Sequence, residues 1–302
     1  MNNLTSRNLK ELCETAITAA TAAGQFIQSQ FDKHYTTQSK IGGDSLASQV
    51  VTEVDLKAQE IILSHLEKSI DTFDLGLLTE EAEDDQSRST KNFFWCIDPM
   101  DGTLPFTERR TGYSVSIALI SRAGDPVIGV VYIPDLKQCY SAIKGEGVLL
   151  NDQAFVRNAI QNEHILHIYM DQSFTVEPYF SFVKNQFNDL LDGDLSKIQF
   201  HDNYGGVRNA IGVMNSGKGC YFKFPKERKG CGSIWDYAAT RLFFEELDLF
   251  VTNAAGEKLH LNNPTSTFMN HAGVLYTTHE ELSEFIVAIG KKVRSKETGS
   301  SY

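Results

Sequence analysis

The 302-residue chain contains no uninterrupted apolar run of the ~18 residues that a membrane-spanning helix requires. Nor does an apolar core of signal-peptide length follow the first basic residue of Met1 to Arg7, so the reading is a cytoplasmic protein with no membrane partner. Its five cysteines (Cys13, Cys96, Cys139, Cys220 and Cys231) are odd in number and form no C-x-x-C pair. That excludes a disulfide framework and a zinc site, and fits buried, reduced thiols. The eight histidines show no metal-binding spacing and are read as structural or surface residues. Basic charge is also scarce: 28 Lys and Arg face 39 Asp and Glu, a net charge of −11. A field of that sign repels polyanions and argues against a nucleic-acid polymer as partner. A small phosphorylated metabolite is compatible with it, because metal ions reverse the potential inside a single pocket.

At roughly 150 residues per domain, the length corresponds to two domains or one large one. Leu9, Leu12, Cys13, Ala16, Ile17, Ala20, Ala23 and Ile27 recur at helical spacing between Leu9 and Phe31, predicting a long amphipathic helix packed on a sheet. After a polar segment from Ser39 to Ser48, Asp55 opens a second helical pattern carried by Ala58, Ile61, Ile62, Leu66 and Ile70. Its carboxylate is readable as a helix cap. Four runs rich in β-branched and aromatic residues follow: Phe93 to Ile97, Tyr113 to Ile120, Pro126 to Ile133 and Gln138 to Ile143. With Gly124-Asp125 and Pro134-Asp135 as turns between them, they predict an antiparallel meander. Beyond residue 150 the pattern mixes a turn at Asp192-Gly193-Asp194, a Gly-rich stretch from Gly205 to Gly219 and helical periodicity from Asp236 to Leu247. Helices with antiparallel strands in both halves predict a layered α+β fold, and no disordered tail longer than Lys292 to Tyr302 is expected.

Chemistry concentrates in Trp95-Cys-Ile-Asp98-Pro-Met100-Asp101-Gly102-Thr103, where a hydrophobic strand ends in two aspartates three residues apart. Two hard carboxylates with a carbonyl between them suit Mg²⁺, and Gly102 and Thr103 can turn N–H groups toward a phosphate oxygen. An Asp-Pro turn followed by an Asp-Gly turn would look the same. Leu77-Leu-Thr-Glu80-Glu81 also ends an apolar run in acids, and Gly232-Ser-Ile-Trp235-Asp236-Tyr-Ala-Ala239 places an aspartate at a helix start. Three such ends can converge on one metal cluster. Taken singly, the acids from Glu80 to Asp85 are a solvated loop and Asp236 is an N-cap.

Taken together and in this order, Glu80-Glu81, Asp98-Pro-Met-Asp101-Gly-Thr103 and Trp235-Asp236-Tyr-Ala-Ala239 resemble the signature set of the inositol monophosphatase superfamily. Thr52-Glu-Val-Asp55, the strands from Tyr113 and Pro126, and Lys144-Gly-Glu-Gly147 fall in the expected positions, so the resemblance spans nearly the whole chain. It implies a layered α/β/α/β/α sandwich and a Mg²⁺-dependent, lithium-sensitive phosphomonoesterase using two to three ions. Carried over residue by residue, it implies that Glu80, Asp98 and the Met100 carbonyl hold a first metal, while Asp98, Asp101 and Asp236 hold a second, with Asp98 bridging. Thr103 with Asp55 would orient and deprotonate the attacking water, and a third, weaker ion near Glu80 would assist. Two ions ~3.5–4 Å apart clamp the attacking and leaving oxygens of an in-line displacement. The implied division is an N-terminal α+β domain with the metal site over residues 1–155 and a C-terminal α/β domain completing the substrate site over 156–302. A pairing face is common in the family and compatible with a homodimer.

Departures from the family bear on substrate. Leu104-Pro105 stands where many relatives place a polar pair, and inositol-specific members carry an acidic residue shortly before their Trp-Asp. Here that region reads Lys223-Phe-Pro-Lys226-Glu-Arg228-Lys229, four cations in seven residues. Each lysine alone reads as solvated surface; as a group they read as a second anion site and favour a 3′(2′),5′-bisphosphate nucleotidase. An inositol monophosphatase or other sugar-phosphate phosphatase, and a non-catalytic phosphometabolite-binding protein, are the alternatives. Gly102, Thr103, Lys223, Lys226 and Arg208, the last in Gly205-Gly206-Val-Arg208-Asn209-Ala210, are the candidate substrate contacts, with Tyr221, Phe222 or Phe224 able to stack a base or belong to the core.

Overall fold

The computed structural model describes residues 4–39, 50–157 and 164–299. Helix α1 (Ser6–Gln30) starts at a capping box between Thr5 and Asn8 and buries Leu12, Ala16, Ala20, Ala23 and Ile27 along one face. Its small residues let it lie close to the neighbouring sheet: a Cβ on Gly24 would come within 2.2 Å of the Tyr132 ring. A two-stranded ribbon, β1 (Thr37–Ser39) with β2 (Val50–Thr52), leads into α2 (Glu53–Phe73), which packs beside α1.

Seven strands then form one sheet in sequence order: β3 (Gly76–Thr79), β4 (Phe93–Asp101), β5 (Ser114–Ser121), β6 (Pro126–Ile133), β7 (Gln138–Ile143), β8 (Val148–Leu150) and β9 (Gln153–Ala154). β3 runs parallel to β4, reached through the short helix α3 (Ser87–Thr90); from β4 onward the sheet is the antiparallel meander that the turn residues predict. Side chains alternate between its faces. Trp95 and Ile97 of β4 join Val115, Ile117 and Leu119 of β5 under α1 and α2. Phe94 and Cys96, with Ala118 and Ile120, face the opposite way into a second core. Even buried Trp95 is satisfied, its indole N–H donating to Ser69 Oγ at 3.1 Å.

After α4 (Thr103–Thr107), between β4 and β5, the remaining helices are α5 (Phe180–Leu190), α6 (Gly206–Asn215), α7 (Ile234–Glu246) and α8 (Glu280–Gly299). A second, five-stranded sheet has the order β11-β10-β12-β14-β13, built from β10 (Leu166–Tyr169), β11 (Ile198–His201), β12 (Lys218–Lys223), β13 (Phe250–Thr252) and β14 (Val274–Thr277). Helices α6 and α7 fill the space between the two sheets through Val207, Ala210, Ala238, Leu242 and Phe243. Val183 and Phe187 of α5, with Leu282, Ile286, Ile289 and Val293 of α8, cover the far face. The result is a five-layered α/β/α/β/α sandwich, an α+β fold as expected.

One expectation is corrected. Strands in the second half are not all antiparallel: β10 pairs in parallel with both β11 and β12, because α5 and α6 serve as the crossovers that parallel pairing needs. The glycine-rich stretch after Gly205 is largely helix α6. Lys292 onward continues α8 to Gly299, anchored by buried Val293. The polar segment from Ser39 to Ser48 lies, from residue 40, outside the described residues. Among the described residues, no helix is long and apolar enough to cross a membrane.

Candidate active site

The register Thr79↔Ile97 sets the end of β3 beside β4 one residue before Asp98, so Glu80 and Asp98 follow that pair on adjacent chain segments, with the Glu80 N–H donating to the Ile97 carbonyl at 3.1 Å. In an unbroken strand, Asp98 and Asp101 would point to opposite faces. Between them, however, β4 advances three residues while β5 advances two, from Ser116 to Ser114, and the bulge turns both aspartates to one side. Pro99, which has no N–H to give a ladder, sits inside that bulge. Gly102 then takes φ 88°, where a Cβ would stand 2.6 Å from the Gly112 carbonyl, and this turn starts α4 at Thr103.

Asp101 reaches the N-terminal end of α6, where its Oδ2 accepts the Val207 N–H at 3.0 Å. The approach is so close that a Cβ on Gly205 would lie 2.3 Å from that carboxylate. Asp236 is the N3 residue of the α7 capping box, with Oδ2 accepting the Ser233 N–H at 2.5 Å. The start of α7 is docked on β5 by the Ser116 hydroxyl, which donates to the Trp235 carbonyl at 3.3 Å. Oxygens of Asp98, Asp101 and Asp236 thereby lie within 4.8 Å of one another. Glu80 lines the same cavity just outside that group.

The electrostatics of this arrangement are unfavourable until something positive enters. Burial raises the Asp98 carboxyl well above the carboxylate range, and the charges of Glu80, Asp101 and Asp236 raise it further. Asp101 is raised by burial and by Asp236, against the lowering pull of the α6 N–H groups. Burial also lifts Asp236 to about 6, with Lys223 opposing. Asp98 Oδ1 accepts the Met100 N–H at 3.0 Å, but among the described residues no donor reaches its buried Oδ2. An orphaned carboxylate oxygen within a set of hard oxygen donors fits a divalent cation of the Mg²⁺ kind.

Beside this cluster, Asp55 belongs to the capping box of α2. Its Oδ2 accepts the N–H and hydroxyl of Thr52 at 2.8 and 2.6 Å, and its Oδ1 accepts the Thr103 hydroxyl at 2.8 Å. Burial raises this carboxyl to about 6, the hydrogen bonds from Thr52 and Thr103 holding it back. Thr103 Oγ1 also lies 3.1 Å from the Met100 carbonyl, so one hydroxyl joins Asp55 to the acid cluster.

A cavity of about 670 Å³ opens over these groups. Gly102, Thr103, Lys223 and Lys226 line it, as expected, whereas Arg208 does not. The Arg208 guanidinium pairs with Asp135 at 2.8 Å and lies over the Tyr204 ring, and it is its backbone N–H that faces Asp101. The four cations of the basic segment are engaged: Lys223 with Asp171 at 2.6 Å, Lys226 and Arg228 with Glu177, and Lys229 over the Phe268 ring. Tyr221 is fully buried, so base stacking there is excluded, while Phe222 and Phe224 are mostly core yet reach the cavity wall. Asp171 and Glu177 were absent from the sequence-derived candidates; Asp171 carries the same signal as the others, an acid just past a strand end.

A five-layered sandwich that gathers carboxylates from two strand ends and a helix start into one cleft defines a family of metal-site proteins. The chain matches the model of the Inositol monophosphatase family over residues 8–294, and it belongs to that family. It is 33% identical over 147 residues to the inositol-1-monophosphatase of Mesorhizobium japonicum, covering 47% of this chain and 51% of that one. It is 33% identical over 154 residues to the 3′(2′),5′-bisphosphate nucleotidase CysQ of Salmonella typhimurium, covering 51% and 58%. The chain thus spans about half the length of the curated relatives it matches. In fold it is similar to the extragenic suppressor protein suhB from Bartonella henselae, with a TM-score of 0.71, 21% identity and 92% and 98% of the two chains covered.

Proposed function

We propose that the chain is a Mg²⁺-dependent phosphomonoesterase that hydrolyses a small phosphorylated metabolite. The observation that carries the reading is the orphaned, buried oxygen of Asp98 among the carboxylates of Asp101 and Asp236. Glu80, Asp98 and the Met100 carbonyl would hold one ion, and Asp98, Asp101 and Asp236 a second; a third, weaker ion would lie near Glu80. In this arrangement residues 1–155 supply most ligands and the C-terminal half completes the site with Asp236. When bound, Mg²⁺ supplies neutralisation of phosphate charge and acidification of water. The protein's own residues do the rest. Thr103 Oγ1 takes a proton from the attacking water while passing its own to Asp55 Oδ1, the acceptor already 2.8 Å away. The N–H groups of Gly102 and Thr103, at the uncapped start of α4, orient phosphate oxygens.

For the substrate, the reading is a 3′(2′),5′-bisphosphate nucleotide, with the nucleoside 5′-phosphate as leaving group. It is supported by a cavity in the range that holds nucleotide-sized ligands and by Lys223 and Lys226 on its wall. The ion pairs of those lysines with Asp171 and Glu177 favour a second reading, an inositol or sugar monophosphate whose hydroxyls would meet the carboxylates. Phosphate release from 3′-phosphoadenosine 5′-phosphate and from inositol 1-phosphate, each with Mg²⁺ and with EDTA, tests both. EDTA-sensitive release with preference for the nucleotide is the expected result, and preference for inositol 1-phosphate selects the second reading. A folded, Mg²⁺-binding protein that releases phosphate from neither substrate, nor from other sugar phosphates, would instead be a phosphometabolite-binding protein.

A further inference from the structure

Asp171 stands two residues past the end of β10, on the wall of the cavity, and its carboxylate is fixed from behind. Its Oδ1 accepts the Tyr221 hydroxyl at 3.0 Å and the Asn209 amide at 3.4 Å, both from side chains that are buried. Its Oδ2 meets Lys223 Nζ at 2.6 Å, and both members of the pair line the cavity. Lys223 lies 5.7 Å from the ring centroids of Tyr221 and Tyr237, and its charge also acts on Asp236. One ammonium thus serves two carboxylates, one in the acid cluster and one on the wall.

We infer that Asp171 is a specificity-determining residue, which competes with a second anionic group of the substrate for Lys223 and so sets how strongly the cleft prefers a bisphosphate to the matching monophosphate. A phosphate approaching Lys223 must displace a carboxylate anchored by two other donors, or sit beside its like charge in a partly dry cleft where such repulsion is poorly screened. A neutral hydroxyl meets neither penalty, since it can donate to Asp171 and accept from Lys223. Replacing Asp171 by asparagine keeps the shape and an acceptor for Tyr221 while removing the charge.

This inference rests on the phosphomonoesterase reading, and its test separates the two. Adenosine 3′,5′-bisphosphate and adenosine 3′-monophosphate differ only by the second phosphate. The ratio of their kcat/KM values is expected to rise at least fivefold in Asp171→Asn and to fall in Lys223→Gln. The same ratio read as calorimetric affinities in EDTA needs no turnover. Opposite movement of the two variants is something that general loss of folding cannot produce. An unchanged or lower ratio in Asp171→Asn overturns the inference. Absence of turnover of either nucleotide or of p-nitrophenyl phosphate by the wild type, with the affinity ratios moving as expected, overturns the phosphatase reading alone.

Discussion

Asp98→Asn is the perturbation that bears most directly on the acid cluster. At 4.8 Å, the widest separation in the cluster, and an effective dielectric of 20, each pair of ionised carboxylates costs about 3.5 kcal/mol, so a fully ionised Asp98 opposes Asp101 and Asp236 by at least about 7 kcal/mol. Proton uptake by the raised carboxyls returns much of this at neutral pH, leaving a smaller net cost. Asparagine removes one charge, keeps an oxygen for the Met100 N–H, and puts an N–H donor where Oδ2 has none. In EDTA at pH 7.5 the variant is therefore expected to melt a few degrees above the wild type. Mg²⁺ at about a hundred times its Kd should stabilise the wild type by about 2.7 kcal/mol and leave the variant nearly unmoved. Phosphate release by the variant should drop at least about 1,000-fold, since the residue assigned to both ions is gone. Differential scanning fluorimetry with and without Mg²⁺, beside a phosphate-release assay, reads all three. A variant less stable than wild type in EDTA refutes the crowding argument, and one that keeps its Mg²⁺ response or its activity refutes the assignment of Asp98 as a ligand.

The first sheet was legible in the sequence because its information is local. Phe93 to Ile97, Pro126 to Ile133 and Gln138 to Ile143 carry β-branched and aromatic residues between turn residues, and these positions all lie within β4, β6 and β7. The family resemblance and layered fold were legible for a different reason, the order of several motifs along the chain. Side-chain direction was not. Asp98 and Asp101 face one way because of a bulge that shows only in the pairing with β5. Arg208 is turned from the cleft by Asp135, 73 residues earlier. The basic segment loses its apparent excess of charge to Asp171 and Glu177, which lie about fifty residues upstream on another wall of the cavity. Gly205 could be read as a glycine, but the need for it comes from a carboxylate on β4 that approaches where a Cβ would be.

Thr103→Val should lower kcat by roughly 10²–10⁴-fold while Mg²⁺ affinity, read from the thermal shift, stays within about twofold, because only the proton path to Asp55 is cut. Equal loss of Mg²⁺ affinity would place Thr103 in a structural role. Gly205→Ala should weaken Mg²⁺ binding at least tenfold, since its Cβ would strike the Asp101 carboxylate, and titration of the thermal shift measures this. Arg208→Ala should cost about 1–3 kcal/mol of stability by denaturant unfolding, through loss of a mostly buried pair with Asp135, and leave the affinity for substrate close to wild type. The pH dependence of the metal-free protein follows from Asp55. Its carboxyl rises from 3.8 in the unfolded chain to about 6 when folded, so between those values the folded protein holds the proton that the unfolded chain has released. The resulting stability is fully present below pH 3.8 and is lost as pH rises through 6, a decrease of about 3 kcal/mol. Asp236 titrates in the same direction, so melting temperatures in EDTA should fall between pH 4.5 and 7, and less steeply for Asp55→Asn. An equal slope in that variant would show that Asp55 is not the buried acid responsible. Added Mg²⁺ should offset more of the fall the higher the pH, because its ligands bind it as carboxylates.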